Sequence, residues 1–357
     1  MTSRRTLAVT STFPQYEGDE RGAFLLRHYE ALHASGDEVS MLVGHTAWTR
    51  MDLRPAFRLL RFPYAPSAMS TLTGRFGILE NIRERPWRAA LLAPYVLRLR
   101  AALMRELNRR RYDRVVAHFW LPCGLVVARV CAGEVPFEVY GHGTDVDLAL
   151  AAPRPMRAWI GRSLAKASHI YLPSSSKRDE VLEAFGGDVQ AERLGVDAMT
   201  HTVGPAPEGI ARQIEGRYLL FLGRLIAQKG VDVLLEAAAH HPGLRLVIAG
   251  DGPLKATLQR RAENLGLDAQ FVGWVQGPMK RALIRDAEAV VIPSHASGVL
   301  REGAPLVVAE AHAMGRPIVA SDIGGISELS ASIGARPSLV PPGDPAALSQ
   351  AIRDLAP

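Results

Sequence analysis

Residues 289–321 read AVVIPSHASGVLREGAPLVVAEAHAMGRPIVAS. The β-branched run 289–292 stops at Pro293, a helical pattern follows with Pro305 at an early position and Gly315 as its stop, and Pro317 opens a second apolar run. This is a strand, a helix and a strand. The same alternation runs along the chain. Before residue 200 the runs are 6–10, 39–43 ahead of Gly44, 115–118, 137–140 ahead of Gly141 and 169–172 ahead of Pro173. After it they are 218–222 ahead of Gly223, 244–248, 270–272 ahead of Gly273, then the two already quoted. Alternating strands and helices build parallel sheets covered on both faces. The expected fold class is therefore α/β, with two doubly wound, Rossmann-like domains over residues 1–190 and 191–357. The stretch GVDAMTHTVGPAPEG, 195–209, has little periodicity and is the expected hinge.

Composition agrees with two globular domains. The chain has 357 residues, 48% of them hydrophobic, with mean hydropathy +0.04. Cys123 and Cys131 are spaced neither as a CxxC pair nor with histidines at ligand intervals, so no disulfide framework or structural zinc is expected. The apolar stretch near the N-terminus is too short for a signal core, and no run reaches a membrane span, which makes a cytoplasmic protein the expectation. The net charge of +6 is confined to residues 1–200, where 27 Lys and Arg face 21 Asp and Glu. Within it, 83–114 carries ten arginines and three acids, with an apolar side read at Trp87, Leu91, Leu92, Tyr95 and Val96. Such a segment fits peripheral contact with an anionic membrane, or a packed helix with a solvated arginine face. Nucleic acid is not expected.

Ligands of doubly wound sheets sit outside the carboxyl ends of the strands. In the quoted stretch the free N–H groups around Gly303 to Val307 suit a phosphate. Glu302 and Glu310 are eight positions apart, about 12 Å along a helix and roughly 80° out of line. They are poorly placed to share a proton or a metal but suited to hydroxyls at opposite ends of a diphosphate. Arg224 and Lys229 follow a strand end, and a guanidinium fork with a point charge fits the same diphosphate. The loop IAGDGPL holds Gly250 and Gly252 but lacks the third glycine of a dinucleotide fingerprint, which weakens an oxidoreductase reading.

With these segments in view, the chain resembles the retaining family 4 glycosyltransferases of the GT-B fold, the group 1 glycosyl transferases. The resemblance rests on GRLIAQKGVDVLLEAA, LVIAGDGP, FVGWV, VVIPS, EGAPLVVAEAHAMGRPIVAS, DIGGISEL and VPPGDPAALSQAI in that order. It implies a metal-independent hexosyltransferase using a UDP- or GDP-sugar as donor substrate, with no cofactor. Arg224 and Lys229 would bind the diphosphate, Glu302 the sugar hydroxyls and Glu310 the ribose. Gly303, Ala304, Pro305 and Leu306 would meet phosphate and sugar, and Trp274 and Val275 would lie near the base.

In the first half, VYGHGTDVD places His142 and Asp145 after a strand end. Family likeness puts His142 against the donor sugar and Asp145 nearby. Asp145 and Asp147 also spell DxD, a metal-holding pattern elsewhere, discounted here because the diphosphate features lie in the other half. The loop EGDERG brings Gly22 toward donor phosphate and Arg21 toward the acceptor, although the adjacent glycine pair common in the family is missing. His118 and Trp120 stand at another strand end as acceptor-binding candidates.

The expectation is a glycosyltransferase that moves sugar to an acceptor hydroxyl with retention, its two domains closing on the donor. The acceptor reads as a lipid-linked glycan of bacterial polysaccharide assembly, at the inner face of the membrane, or else a small natural product. The alternatives are a nucleotide-sugar epimerase of the same fold and a non-enzymatic sugar-binding protein.

Overall fold

The computed structural model describes residues 3–19, 21–74, 77–186, 188–197, 210, 212–296 and 305–355. The chain divides into two compact units. One is Met1–Pro173 with Arg178–His201, and the other is Ser174–Lys177 with Thr202–Pro357.

In chain order the first series is β1 (Arg5–Thr10), α1 (Ala23–Ala34), β2 (Glu38–Gly44), β3 (Arg58–Phe62), α2 (Ile78–Glu84), α3 (Leu92–Arg109) and β4 (Arg114–His118). It continues with α4 (Leu125–Cys131), β5 (Phe137–Tyr140), α5 (Thr144–Leu150), α6 (Arg154–Leu164), β6 (His169–Leu172), α7 (Ser175–Phe185) and β7 (Leu194–Val196). The strands form one parallel sheet in the order β3-β2-β1-β4-β5-β6-β7.

The second series is β8 (Leu219–Leu222), α8 (Val231–Ala238), β9 (Arg245–Ala249), α9 (Lys255–Asn264), β10 (Asp268–Gly273), α10 (Gly277–Asp286) and β11 (Ala289–Ile292). Then come α11 (Val307–Ala313), β12 (Ile318–Ser321), α12 (Ile326–Ile333), β13 (Ser338–Val340) and α13 (Pro345–Arg353). Its sheet is also parallel, in the order β10-β9-β8-β11-β12-β13. Both sheets are doubly wound, as the alternation of strands and helices predicts.

Helices on both faces explain why the central strands read as unbroken apolar runs. On β1, Leu7 and Val9 pack with Leu42, Val115 and Leu99 on one face, while Ala8 packs with Met41, Leu25 and Tyr29 on the other. Truncating Leu7 to alanine should cost about 2–5 kcal/mol. Cys123 and Cys131 are free and buried, and burial pushes both thiols up to about 12.

Three strands fall outside the sequence expectation: β3, β7 and β13. β7 also carries the first sheet past residue 190, so the boundary at 190/191 cuts a strand from its own sheet. Most of the expected hinge, 198–209, lies outside the described residues.

In the basic segment, Leu91 and Tyr95 of the apolar side are buried, together with Leu99 and Leu103 at helical spacing, as a packed helix with a solvated arginine face requires. Leu97 and Met104 of α3, and Trp87 before it, are the large exposed apolar residues. Glu106, the helix's one acid, is turned inward, where it accepts from the Arg58 guanidinium and, at 2.7 Å, from the Tyr112 hydroxyl.

Candidate functional site

Each sheet reverses its winding once, between β1 and β4 and between β8 and β11. Crevices outside such switch points are where doubly wound sheets bind ligands.

In the second unit the loops at this point are tied together by backbone. The Gly223 and Leu225 N–H groups donate to Ala249 and Asp251 O, both at 3.0 Å, and Gly250 N–H donates to Gly273 O at 2.7 Å. A side chain on Gly250 would meet Gly223 O at 1.8 Å, and one on Gly252 would meet Leu225 O at 2.5 Å. These glycines let two loops touch. On the other side His295 N–H donates to Gln228 O at 3.0 Å, and Gly230, at φ 64, sits where any Cβ would strike Pro293 O. The loop carrying Arg224 and Lys229 is therefore held from both flanks, with both side chains part-buried. Trp274 and Val275 follow the carboxyl end of β10, the Trp274 ring half exposed.

Pro305 and Leu306 lead into α11, which ends at Gly315 as its sequence predicts, Gly315 N–H donating to His312 O at 2.9 Å. Glu302, Gly303 and Ala304 lie outside the described residues. Glu310 is buried in α11, and Lys280 of α10 donates to its Oε1 at 2.5 Å, while Oε2 is buried with no hydrogen-bond partner among the described residues. Sequence reading passed over Lys280. A signal existed, because only five of the 42 basic side chains are lysines.

In the first unit the switch point gathers aromatic and imidazole rings. Tyr29 Oη lies 2.7 Å from His118 Nε2, and His118 Nδ1 lies 3.1 Å from His142 Nε2. Phe24 and Phe119 flank the His142 ring, with centroids at 5.3 and 4.5 Å. Phe119 has φ 70, a conformation that costs a bulky residue energy and that clusters at functional positions. Burial drives the His118 imidazole well below its ordinary range. His142 keeps an accessible edge, yet desolvation brings it down to about 3, so both rings are neutral at pH 7.

Several expected roles change. His118 and Trp120 are both 0% exposed, the Trp120 ring in the core, so neither reaches an acceptor. Arg21 spends its Nε and one terminal nitrogen on Asp19, at 2.7 and 2.9 Å, and Asp19 also accepts from Gln15 N–H. That pair organises the first loop, with Gly22 capping α1 at φ 69. Asp145 accepts from Trp120 N–H at 2.6 Å and from His142 N–H at 2.9 Å, so its carboxylate joins two loops rather than facing a ligand. Desolvation raises it to about 6 against those hydrogen bonds. Asp147, the second acid of the DxD, is also buried.

The family model for glycosyltransferase family 4 matches residues 22–198, and that for glycosyl transferases group 1 matches residues 216–356. The chain belongs to this glycosyltransferase family. Among similar proteins is TuaC of Bacillus subtilis, assigned as a glycosyltransferase of teichuronic acid biosynthesis, at 24% identity over 91% of this chain and 82% of that protein. Another is the D-inositol 3-phosphate glycosyltransferase of Xylanimonas cellulosilytica, at 27% over 87% and 77%. The Anabaena HepE structure in complex with UDP-glucose superposes with a TM-score of 0.66 at 18% identity, covering 98% of this chain and 89% of that one. The two doubly wound units of this glycosyltransferase are those of the GT-B fold.

Proposed function

We propose that this glycosyltransferase transfers a hexose from a UDP- or GDP-sugar to an acceptor hydroxyl, with retention and without a metal ion. The observation that carries the reading is the doubly anchored loop at the second switch point, which holds Arg224 and Lys229 at the carboxyl end of β8. Two fixed cations suit a departing diphosphate, where charge develops in the transition state, and they supply the positive charge that a divalent ion would otherwise bring. Glu310, with one buried oxygen unpartnered among the described residues, suits a ribose hydroxyl, and Trp274 offers a ring to the base. His142 contributes to the donor sugar, Glu302 to its hydroxyls, and the departing phosphate takes the acceptor's proton. Family membership favours transfer over epimerisation or sugar binding alone. Replacing Lys229 by alanine should lower turnover at least about tenfold, roughly 1.4 kcal/mol, and unchanged turnover would remove the assignment.

The acceptor reading is a lipid-linked glycan met at an anionic bilayer. Among the described residues no helix is long and apolar enough to cross a membrane, so contact would be peripheral. Leu97 and Met104 stand exposed on α3 among Arg98, Arg100, Arg105 and Arg109, while Glu106 is turned away. Helix α6, which packs against α4 as α3 does, exposes Met156 and Trp159 and has three arginines and no acid. Apolar anchors with uncompensated cations fit anionic headgroups.

A further inference from the structure

The hydrogen-bonding state of His142 is decided from behind the ring. Tyr29 and His118 are enclosed, at 1% and 0% exposure, and their mutual contact at 2.7 Å is the only hydrogen bond of the Tyr29 hydroxyl among the described residues. His118 Nδ1 then meets His142 Nε2 at 3.1 Å. With both imidazoles neutral, two proton arrangements are self-consistent. In the first, Tyr29 O–H donates to His118 Nε2, His118 Nδ1–H donates to His142 Nε2, and His142 carries its proton on Nδ1. In the second, both ring bonds reverse, His142 Nδ1 is a bare lone pair, and the Tyr29 hydrogen is buried with no acceptor. A buried donor left unpaired bears its full desolvation penalty, whereas the first arrangement leaves every N–H and O–H of the chain satisfied up to His142.

We propose that Tyr29 and His118 are positioning residues that hold His142 as its Nδ1–H tautomer, so that His142 presents a hydrogen-bond donor to an oxygen of the sugar donor and does not act as a base. The proposal rests on the transferase reading for its substrate, though the tautomer itself does not depend on it. His142 Nδ1 has no hydrogen-bond partner among the described residues, and the residue keeps accessible surface. Phe24 and Phe119 hold the ring plane, and Asp145 holds the His142 backbone N–H. Direction and proton are thus set before a ligand arrives.

The test is imidazole nitrogen NMR on the whole chain labelled at histidine, near neutral pH. The expected spectrum has His142 protonated on Nδ1, and Tyr29→Phe, which leaves His118 Nε2 unpaired in either arrangement, removes the bias so that an Nε2–H population of His142 appears. His142 protonated on Nε2 in the unaltered protein, or a tautomer indifferent to Tyr29→Phe, overturns the proposal. Kinetics add a second readout. Tyr29→Phe should lower kcat about twofold or more with the KM for donor little changed, and unchanged kcat would overturn the role. His142→Asn keeps an N–H where Nδ1–H stood, so it should retain more turnover than His142→Ala, and equal loss counts against donation. A protein with no transferase activity but with the Nδ1–H signal and its Tyr29 dependence would contradict the proposed function and leave the tautomer standing.

Discussion

Lys280 donates to Glu310 Oε1 at 2.5 Å across α10 and α11, and the second carboxylate oxygen is buried with no hydrogen-bond partner among the described residues. An ion pair of this kind fixes the carboxylate with one oxygen already used and one available. If that oxygen takes a ribose hydroxyl, the lysine acts by holding it in place. Lys280→Met should therefore raise the KM for the nucleotide sugar about fivefold or more with a smaller change in kcat, read by steady-state kinetics against donor concentration. A change in kcat alone would place Lys280 elsewhere in the mechanism.

The buried imidazoles make stability depend on pH. His118 and His142 are lowered in the folded state, so the unfolded chain takes up protons that the fold excludes. The contribution of each is fully present above about 6.5 and falls at lower pH with a slope of up to about 1.4 kcal/mol per pH unit, that of His142 being lost as pH falls toward about 3. Asp145, raised to about 6, works the other way, since its contribution is present below about 4 and lost as pH rises through 6. Two imidazoles outweigh one carboxyl. Denaturant midpoints should fall between pH 6.5 and 4, and His118→Gln should flatten the profile; a slope unchanged by that substitution would refute this origin.

Peripheral membrane contact predicts salt-sensitive sedimentation with vesicles of phosphatidylglycerol and phosphatidylcholine, since headgroup attraction is screened within a Debye length. Binding should disappear at high salt and weaken in Leu97→Ser and in Arg100→Glu. Absence of binding at low salt would move the acceptor reading toward a soluble natural product.

Close packing of the loops that follow β8 and β11 predicts that Gly230→Ala is destabilising, because its Cβ would meet Pro293 O at 1.8 Å. Thermal unfolding should show a loss of about 1–3 kcal/mol, as for overpacking and backbone strain elsewhere. A neutral substitution would mean that the loops are not held as described.

The double winding was legible because central strands such as β1 and β11 are buried on both faces and so spell continuous apolar runs. The edge strand β3, RLLRF, has charged ends and partly buried residues, and β7 and β13 are three residues each, too short for any period. The placement of Arg224 and Lys229 after a strand end and of Glu310 inside a helix could be read from turn residues and spacing. The enclosure of His118 and Trp120 could not, because a histidine and an aromatic beside a strand end look alike whether they face ligand or core. The pairing of Arg21 with Asp19 and the left-handed Phe119 are tertiary facts without a local signature. Lys280 was legible in principle, as a rare lysine in an arginine-rich chain.

Retention from a nucleoside diphosphate sugar without metal is read from the anomeric proton of the product. The protein would be incubated in EDTA with UDP- and GDP-sugars of α configuration and a panel of lipid-linked and soluble acceptors, with transfer found by mass spectrometry and the product followed by proton NMR. The nucleoside diphosphate should be released and the anomeric coupling of the product should be that of an α linkage; a β product, or transfer that appears only when a divalent cation is restored, would overturn the proposed function.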